Sequence, residues 1–569
     1  MTEPPVATRA GGGTTPGGQL PVVRPGAPSA GRWRAGRARI VTTLRRHWLV
    51  SALLAAGLTL RVLTQLAYQP ALIYVDTLKY LYGASPGADP LGYRYLLKII
   101  LIAGDLGTVT AIQHLLGLAM AVVLYVLLRR RGVRTWLAAL AVAPVLLDAY
   151  QLQMEQMIMP DVWFEAMILA GLAVLLWRPA VSPPLAVAAG LILGLSATVK
   201  SLGEFLILPA LAYLLAAGGF RRSLRTSAAM IAAFALPILL YCGISYAQTG
   251  HFWLARQQTL TGRLVAAADC ATLRLPAQAR PLCPTPAVQQ ALGPDALEHD
   301  FGRSPLYAVP VTPGTRGALI AELKGAIEHQ QPLRVAGSIL SDSLRLFAVT
   351  RQPTGWVTPI SRWQFQAGYP TYPPWTSICP AGQLTAQACL LQQHEVQKQA
   401  APDTDLLLRP GGTLVFGVQR KVGGQFRATT LSPAYGGRAQ VSRPLAAFLR
   451  SYQLGGGYTP GPLLALAALA GLAGSVVALA RRGRDDRSRR LAAACLLFTV
   501  TAAIVLLAPD IYEFSWRYEL PAVITLVPAG VLGVSALLPG RRRQLADVGQ
   551  DVPGGSRAGP HPGSDAADE

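Results

Sequence analysis

About ten stretches of the chain are apolar over nearly the ~20 residues that a helix needs to cross a bilayer. They fall at 47–68, 107–128, 134–149, 161–177, 184–200, 203–219, 227–247, 460–480, 490–509 and 518–538. The third, fourth and sixth are short. The stretch 93–104 is apolar but too brief to cross alone, and it reads as a helix lying in the interface. Residues 248–459 contain no such run and carry many Pro and Gly with scattered charge. Within them, Leu319, Ile320, Leu323 and Ile327, then Val335, Ile339, Leu344 and Phe347, recur at three- and four-residue steps. That spacing predicts two amphipathic helices broken near Pro332. The rest of this segment, including 368–375, reads as irregular loop.

Composition supports a membrane protein. The 569 residues are 51% hydrophobic and only 14% charged, with a mean hydropathy of +0.35, whereas a soluble domain carries about 25% charge. The fold class expected is an all-α polytopic membrane protein of about 10 transmembrane helices, with a mixed extracytoplasmic insertion between spans seven and eight. The net charge of +22 raises nucleic acid as a partner. However, the basic residues cluster at the ends of apolar runs, and no groove-reading motif is present, so nucleic acid is set aside.

The Arg cluster before the first run (Arg32, Arg34, Arg37, Arg39, Arg45, Arg46) places the amino terminus in the cytoplasm. Alternation then puts "RRRGVR" at 129–134, "WRPAVS" at 177–182, "RRSLR" at 221–225, "RRGRDDRSRR" at 481–490 and "RRR" at 541–543 on the same side. The intervening short loops hold few basic residues. The expected organisation is a disordered cytoplasmic 1–46, a membrane module over 47–247 with an outer loop at 69–106, an extracytoplasmic 248–459, three spans over 460–538, and a disordered cytoplasmic tail over 539–569. The first ~30 residues lack the n-region, h-region and cleavage site of a signal peptide. Heavy Ala, Gly, Arg and Pro usage suggests a GC-rich coding source, of the actinobacterial kind.

The cysteines sort by this topology. Cys242 and Cys495 fall in apolar runs, while Cys270, Cys283, Cys379 and Cys389 fall in the outer segment. Four cysteines in an oxidising compartment predict two disulfides, and short loops favour 270–283 and 379–389 among three connectivities. Zinc is the alternative, but no C-x-x-C spacing or His pair supports it.

Ionisable residues gather at the outer ends of runs: Asp76, Glu155 and Asp161, Lys200 and Glu204, then Asp510, Glu513 and Arg517. Charge near a membrane is costly unless paired or wet, so each is a candidate site residue. Span ends are also wet, so solvation is the plain alternative for any one of them. Nucleotide-activated donors are absent outside the cytoplasm, where the usual activated sugar is a polyprenyl-phosphate sugar. Transfer from it needs a carboxylate to deprotonate an acceptor hydroxyl, cations or a metal for the leaving phosphate, and a groove for the lipid. Asp76 supplies the base on this reading, and Lys200 and Arg517 the cations. No Walker loop, GxGxxG or HExxH occurs. Lys79 and Arg94 read more readily as headgroup contacts than as phosphate ligands. His114, inside a span, reads as hydrogen-bonded packing. The aromatics Trp253, Trp356, Trp363, Trp375, Tyr369 and Tyr372 read as core or interfacial belt, with sugar stacking the alternative. A transporter of a lipid-linked substrate and a non-catalytic scaffold are the rival functions. The first should show mid-membrane charges and two related halves, and the charges here lie at one face.

Five short elements, in order and each at its expected face, resemble the GT-C superfamily of integral membrane glycosyltransferases, near the protein O-mannosyltransferase and aminoarabinose-transferase-like branch. They are "VDTLKYLYGA" with "PLGYRYLLK" (Asp76, Tyr80, Ala84, Pro90, Gly92, Tyr93), "AIQHLLGLAMAVVLYVLLRRRG", "MIMPDVWFEAMILAGLAVLL", "GLILGLSATVKSLGEFLILPAL" and "FSWRYELPAVITLVP". The resemblance covers 47–247 and 490–538. It implies that Asp76 is the catalytic acid of the first outer loop and Asp161 a second acid contacting acceptor or metal. It implies that Lys200 and Arg517 contact the donor phosphate, with Tyr80, Tyr93, Arg94, Glu204 and Tyr518 in support and a divalent cation (Mg or Mn) as a possible cofactor. The implied enzyme is a hexosyl- or pentosyltransferase in the cell membrane, passing sugar from polyprenyl phosphate to a glycan, lipid or protein acceptor of the cell envelope. Two departures stand out. Asp161 replaces the usual Glu, and the insertion at 248–459 is foreign to the common pattern.

The topology makes a direct prediction. A reporter active only in the cytoplasm will work when fused at Gly132 or Arg178, and one active only outside will work when inserted near residue 300. The opposite pattern would invert the assignment of every site residue.

Overall fold

The computed structural model describes residues 42, 45–74, 76–82, 89–217, 220–255, 260–299, 303–308, 313–351, 363–368, 404–409, 413–422, 425–430, 440–480, 486–518 and 520–538. Expectations placed on the two termini, on the Cys379–Cys389 pair and on Trp356, Tyr369, Tyr372 and Trp375 lie outside the described residues.

The protein is helical, and each apolar run falls on a helix. The first half comprises α1 (Trp48–Ala67), α2 (Thr77–Tyr82), α3 (Gly92–Ile100), α4 (Leu106–Arg130), α5 (Thr135–Leu147), α6 (Ala149–Gln156), α7 (Asp161–Leu176), α8 (Pro183–Val199), a 3₁₀ turn Ser201–Leu206 leading into α9 (Ile207–Ala217), and α10 (Phe220–Thr249). The outer segment supplies α11 (Thr261–Ala267), α12 (Pro286–His299), α13 (Pro305–Ala308), α14 (Pro313–Gln330) and α15 (Pro332–Ser343). The chain closes with α16 (Arg443–Leu454), α17 (Gly461–Ala480), α18 (Asp486–Leu507) and α19 (Leu520–Leu537).

Among the described residues, five helices are each long and apolar enough to cross a bilayer, and six if α5 and α6, bent by 49°, count as one. Residues 183–199, 201–217 and 461–477 are apolar but shorter, so length alone does not reach ten crossings. Leu58, Val62 and Leu66 on α1, and Leu236, Leu239 and Leu240 on α10, are large apolar side chains left exposed, as a lipid-facing surface requires. The helices pack through small residues, as membrane helices do without water to drive them together. On α19, a Cβ at Gly533 would lie 2.0 Å from the Ala470 carbonyl of α17.

Between α10 and α16, α11 to α15 enclose a second core built on Leu264, Val265, Leu319, Leu323 and Ile327. The helices over 313–343 break at Pro332 as their periodicity predicts. Cys270 and Cys283 are disulfide-bonded. Arg263 of α11 donates to the Tyr512 carbonyl, and Ser343 to Asp510, which dock this subdomain on the outer end of the α18–α19 connection. The segment also contains a feature read above as loop. Strands β2 (Thr404–Arg409), β3 (Thr413–Val422) and β4 (Gln425–Thr430) form an antiparallel sheet, with β1 (Tyr68–Gln69) pairing separately with β5 (Gln440–Val441). The sequence breaks "PGG" and "GG" between alternating strands are hairpin signals.

The larger correction concerns α6. The third apolar run does not end in a turn at 149. The chain bends at Asp148, whose carboxylate caps Tyr150 N–H, and continues as "AYQLQMEQ". All eight residues of this helix are buried. Glu155 therefore does not sit in an outer loop. Its carboxylate lies 2.7 Å from Arg61 Nη2 on α1 and 2.9 Å from His114 Nδ1 on α4. Arg61 also donates to the Val145 and Leu146 carbonyls at the end of α5. His114 completes the layer through Nε2 to Gln156, and Gln151 donates to Glu165. The charges are thus not confined to one face, and a paired polar layer lies inside the module. His114 has the packing role expected of it.

Gly117 makes room for this layer. A Cβ there would sit 2.0 Å from Glu155 Oε1 and 2.6 Å from Arg61 Nη2. Gly117→Ala must therefore separate the fully buried pair, and it will lower stability by about 3 kcal/mol. The check is a thermal melt of the purified protein in detergent. An unchanged melt would show that the layer tolerates rearrangement.

Candidate active site

Four expected site residues meet at one end of the bundle, the end expected to face outward, each delivered by a different element. After β1, residues Ala71–Tyr74 run alongside the end of α6. Leu72 N–H donates to the Gln156 carbonyl, and Ile158 N–H donates back to Leu72. Thr77 Oγ1 donates to the Ile158 carbonyl and accepts from Tyr74 N–H. This clamp fixes the turn that carries Asp76 beside the start of α7. Asp161 is the first residue of α7, where the helix N-terminus favours a carboxylate. Lys200 is the extended residue that ends α8, where the helix C-terminus favours a cation. Arg517 lies in the turn before α19, closed by Tyr518 N–H to the Ser515 carbonyl.

The side chains form one alternating chain of charge. Arg517 Nη1 is 3.2 Å from Asp76 Oδ2, Arg517 Nε is 3.7 Å from Asp161 Oδ1, and Lys200 Nζ is 2.8 Å from the same Oδ1. The Tyr518 ring stands between the cations, 4.5 Å from the Arg517 Cζ and 4.8 Å from Lys200 Nζ. Trp363 covers Arg517 at 5.2 Å and packs on Tyr74 at 4.9 Å between ring centroids. Gln453 of α16 pins this part of the outer segment, donating to the Trp363 carbonyl and accepting from Phe365 N–H.

Accessibility separates the two acids. The Asp76 side chain is 25% exposed, whereas Asp161 is fully buried beneath the cations. An incoming hydroxyl can reach Asp76. Asp161 holds Lys200 and Arg517 in place, and its Oδ2 is buried with no hydrogen-bond partner. Among the described residues no group of three or more His, Cys, Asp or Glu converges as a metal site. Asp76 and Asp161 each face a cation, and their carboxylate oxygens are also of the type that a divalent ion takes.

Gly92 explains the Pro-Leu-Gly-Tyr element. A Cβ on it would lie 2.3 Å from the Thr198 carbonyl, so only glycine lets α3 abut the end of α8 just before Lys200. Leu91 N–H donates to Tyr241 Oη, and Tyr93 Oη to Gln113. The Tyr93 ring meets Tyr80 of α2 edge-on at 5.2 Å. Burial, with lesser contributions from Asp89 and Asp76, pushes the Tyr80 phenol well above its usual range, so it stays neutral. Tyr80 and Tyr93 thus brace the loop of Asp76. Arg94 is half-buried on α3, and Glu204 is exposed on the 3₁₀ turn, outside the charge chain. Asp510 instead faces Ser343. The parts missed in the sequence are Tyr74 and the position of Trp363, which an aromatic flanking an outer-face acid could have signalled.

No family model and no curated protein matches the chain. Among solved structures, it is similar to the S. cerevisiae protein O-mannosyltransferase complex bound to the sugar donor, at 17% identity and a TM-score of 0.30, covering 39% of this chain and 36% of that one. It is also similar to the Archaeoglobus fulgidus oligosaccharyltransferase tethered to an acceptor peptide, at 13% identity and a TM-score of 0.37, covering 87% and 50%. The apo form of the latter gives 14% identity and a TM-score of 0.34, covering 89% and 52%. The chain thus spans about a third to a half of the length of these structures.

The contrast between the acids is measurable. Asp161→Asn leaves two buried cations short of their counter-charge and will lower stability by about 3 kcal/mol. Asp76→Asn removes a partly exposed partner and will cost about 1 kcal/mol or less. Equal shifts in paired melts would contradict the burial order.

Proposed function

We propose that the protein is a membrane glycosyltransferase that moves a sugar from a polyprenyl-phosphate donor to an acceptor hydroxyl at the outer face of the cell membrane. One observation carries the reading: Asp76, Asp161, Lys200 and Arg517, far apart in sequence, join in one charge chain with only Asp76 substantially open. A solvated loop acid needs no such partners. A phosphate-sugar site needs a reachable carboxylate beside fixed cations.

In the proposed reaction Asp76 takes the acceptor proton as the acceptor oxygen bonds to the anomeric carbon. The bond from that carbon to the phosphate oxygen breaks, and the electron pair leaves on the lipid phosphate. Arg517 and Lys200 stabilise that charge, held in position by Asp161. A single displacement inverts the anomeric configuration. The sugar is a hexose or pentose, and the acceptor a cell-envelope glycan, lipid or exported protein. The Arg61–Glu155–His114 layer is the one feature a transporter would share. Its ions are closed on each other and on backbone carbonyls, which favours a structural role for it.

Purified protein in lipid, supplied with a panel of polyprenyl-phosphate sugars, will form an inverted product. Asp76→Asn will lower turnover by at least about 100-fold while melting as a folded protein. Lys200→Met will lower it by about 100-fold or more. Wild-type turnover by Asp76→Asn would remove the assignment of the base.

A further inference from the structure

The opposite end of the bundle carries a second charged site. A cavity of about 310 Å³ opens where the C-termini of α4 and α7 meet the start of α18. Arg130, Arg131, Arg178 and Arg490 line it, together with Trp177. The positive-inside rule places this end in the cytoplasm.

The cavity is built rather than incidental. Arg131 caps α7 by donating from Nη2 to the Leu176 and Arg178 carbonyls, and Arg130 Nη2 donates to the Trp177 carbonyl at 3.3 Å. The Arg130 guanidinium lies 4.5 Å over the Trp177 ring. These contacts fix two of the guanidiniums and leave donors over, since each carries five N–H groups. No carboxylate pairs with any of the four arginines among the described residues. Like charges from three helices around one cavity repel unless an anion joins them. Burial pushes Arg131 below the ordinary arginine value; Tyr213, which hydrogen-bonds it, opposes that shift, and Arg490 and Arg130 add to it to a lesser degree.

We propose that this cavity binds the phosphate headgroup of an anionic phospholipid of the inner leaflet. The aromatic residues at this end support a lipid source. Trp48, Trp136 and Trp177 are exposed at this end of the bundle, as interfacial tryptophans are at headgroup level. Its volume lies at the low end for ligand pockets, which suits a headgroup rather than a nucleotide. Basic pockets between helices on the cytoplasmic side are the known chemistry for such headgroups.

The test uses the full chain in phosphatidylcholine nanodiscs containing phosphatidylglycerol, with retained lipid counted by native mass spectrometry. The wild type will retain phosphatidylglycerol over phosphatidylcholine, and R131Q/R490Q will weaken that retention by about tenfold. R45Q/R46Q, which removes the same charge from the same end outside the cavity, will leave it unchanged. Equal retention by wild type and R131Q/R490Q would overturn the proposal, and so would an equal loss in R45Q/R46Q, which would mean only diffuse attraction. Stabilisation of the wild type by inorganic phosphate, with none by phosphatidylglycerol, would overturn the lipid source. Should R131Q/R490Q fail to fold, Trp177→Leu keeps every charge and removes the stacked wall. Retention weakened by about threefold in that variant supports the site, and unchanged retention overturns it.

Discussion

Asp161 is the group on which the outer site depends. It is a carboxylate with no access to water, and it persists as a charge only because Lys200 and Arg517 share one of its oxygens. Those cations are in turn kept near the surface, one ending α8 and the other preceding α19. Removing either would leave an uncompensated charge where compensation is scarce. The arrangement couples helices from the two halves of the chain, and it presents Asp76 on the accessible side of Arg517. Asp161 reaches both cations with a short side chain because it starts its helix directly beneath them.

Below that site lies a second constraint. The polar helix α6 is buried along its whole length, and its Gln151, Glu155 and Gln156 side chains are held by Arg61 of α1, His114 of α4, Glu165 of α7 and the Tyr68 carbonyl. Gln113 illustrates the economy, donating to the Glu155 and Met157 carbonyls while accepting from Tyr93 Oη. The same residue thus ties the interior layer to the helix that braces the Asp76 loop. A change at Gly117 or Glu155 would reach the Asp76 cluster through α6 and the residues 156–158 that clamp Ala71–Tyr74, with no direct contact to that cluster.

Much of this was legible in the sequence where hydropathy sets depth. Asp76, Asp161, Lys200 and Arg517 each follow or open an apolar run, so their shared face could be read from alternation, although their mutual distances could not. The polar helix α6 was not legible. Its residues lose the apolar signal at Asp148 and look like a loop, and only the partners Arg61, His114 and Gln113, from distant runs, make their burial tolerable. Asp510 and Glu204 show the converse, sitting at the predicted face while pointing elsewhere. The placement of Trp363 over Arg517 rests on Gln453 and is a purely tertiary fact. The strands over 404–430 carried their hairpin signals openly, in Gly-Gly breaks obscured by the Pro- and Gly-rich surroundings.

The central claim is that one charge chain receives a lipid-borne phosphate on its cations and an acceptor on Asp76. The most direct measurement is a structure of the protein with a non-transferable polyprenyl-phosphate sugar analogue. The account predicts the phosphate against Arg517 and Lys200 with the anomeric carbon facing Asp76. A phosphate bound away from both cations, or a sugar turned away from Asp76, would contradict it.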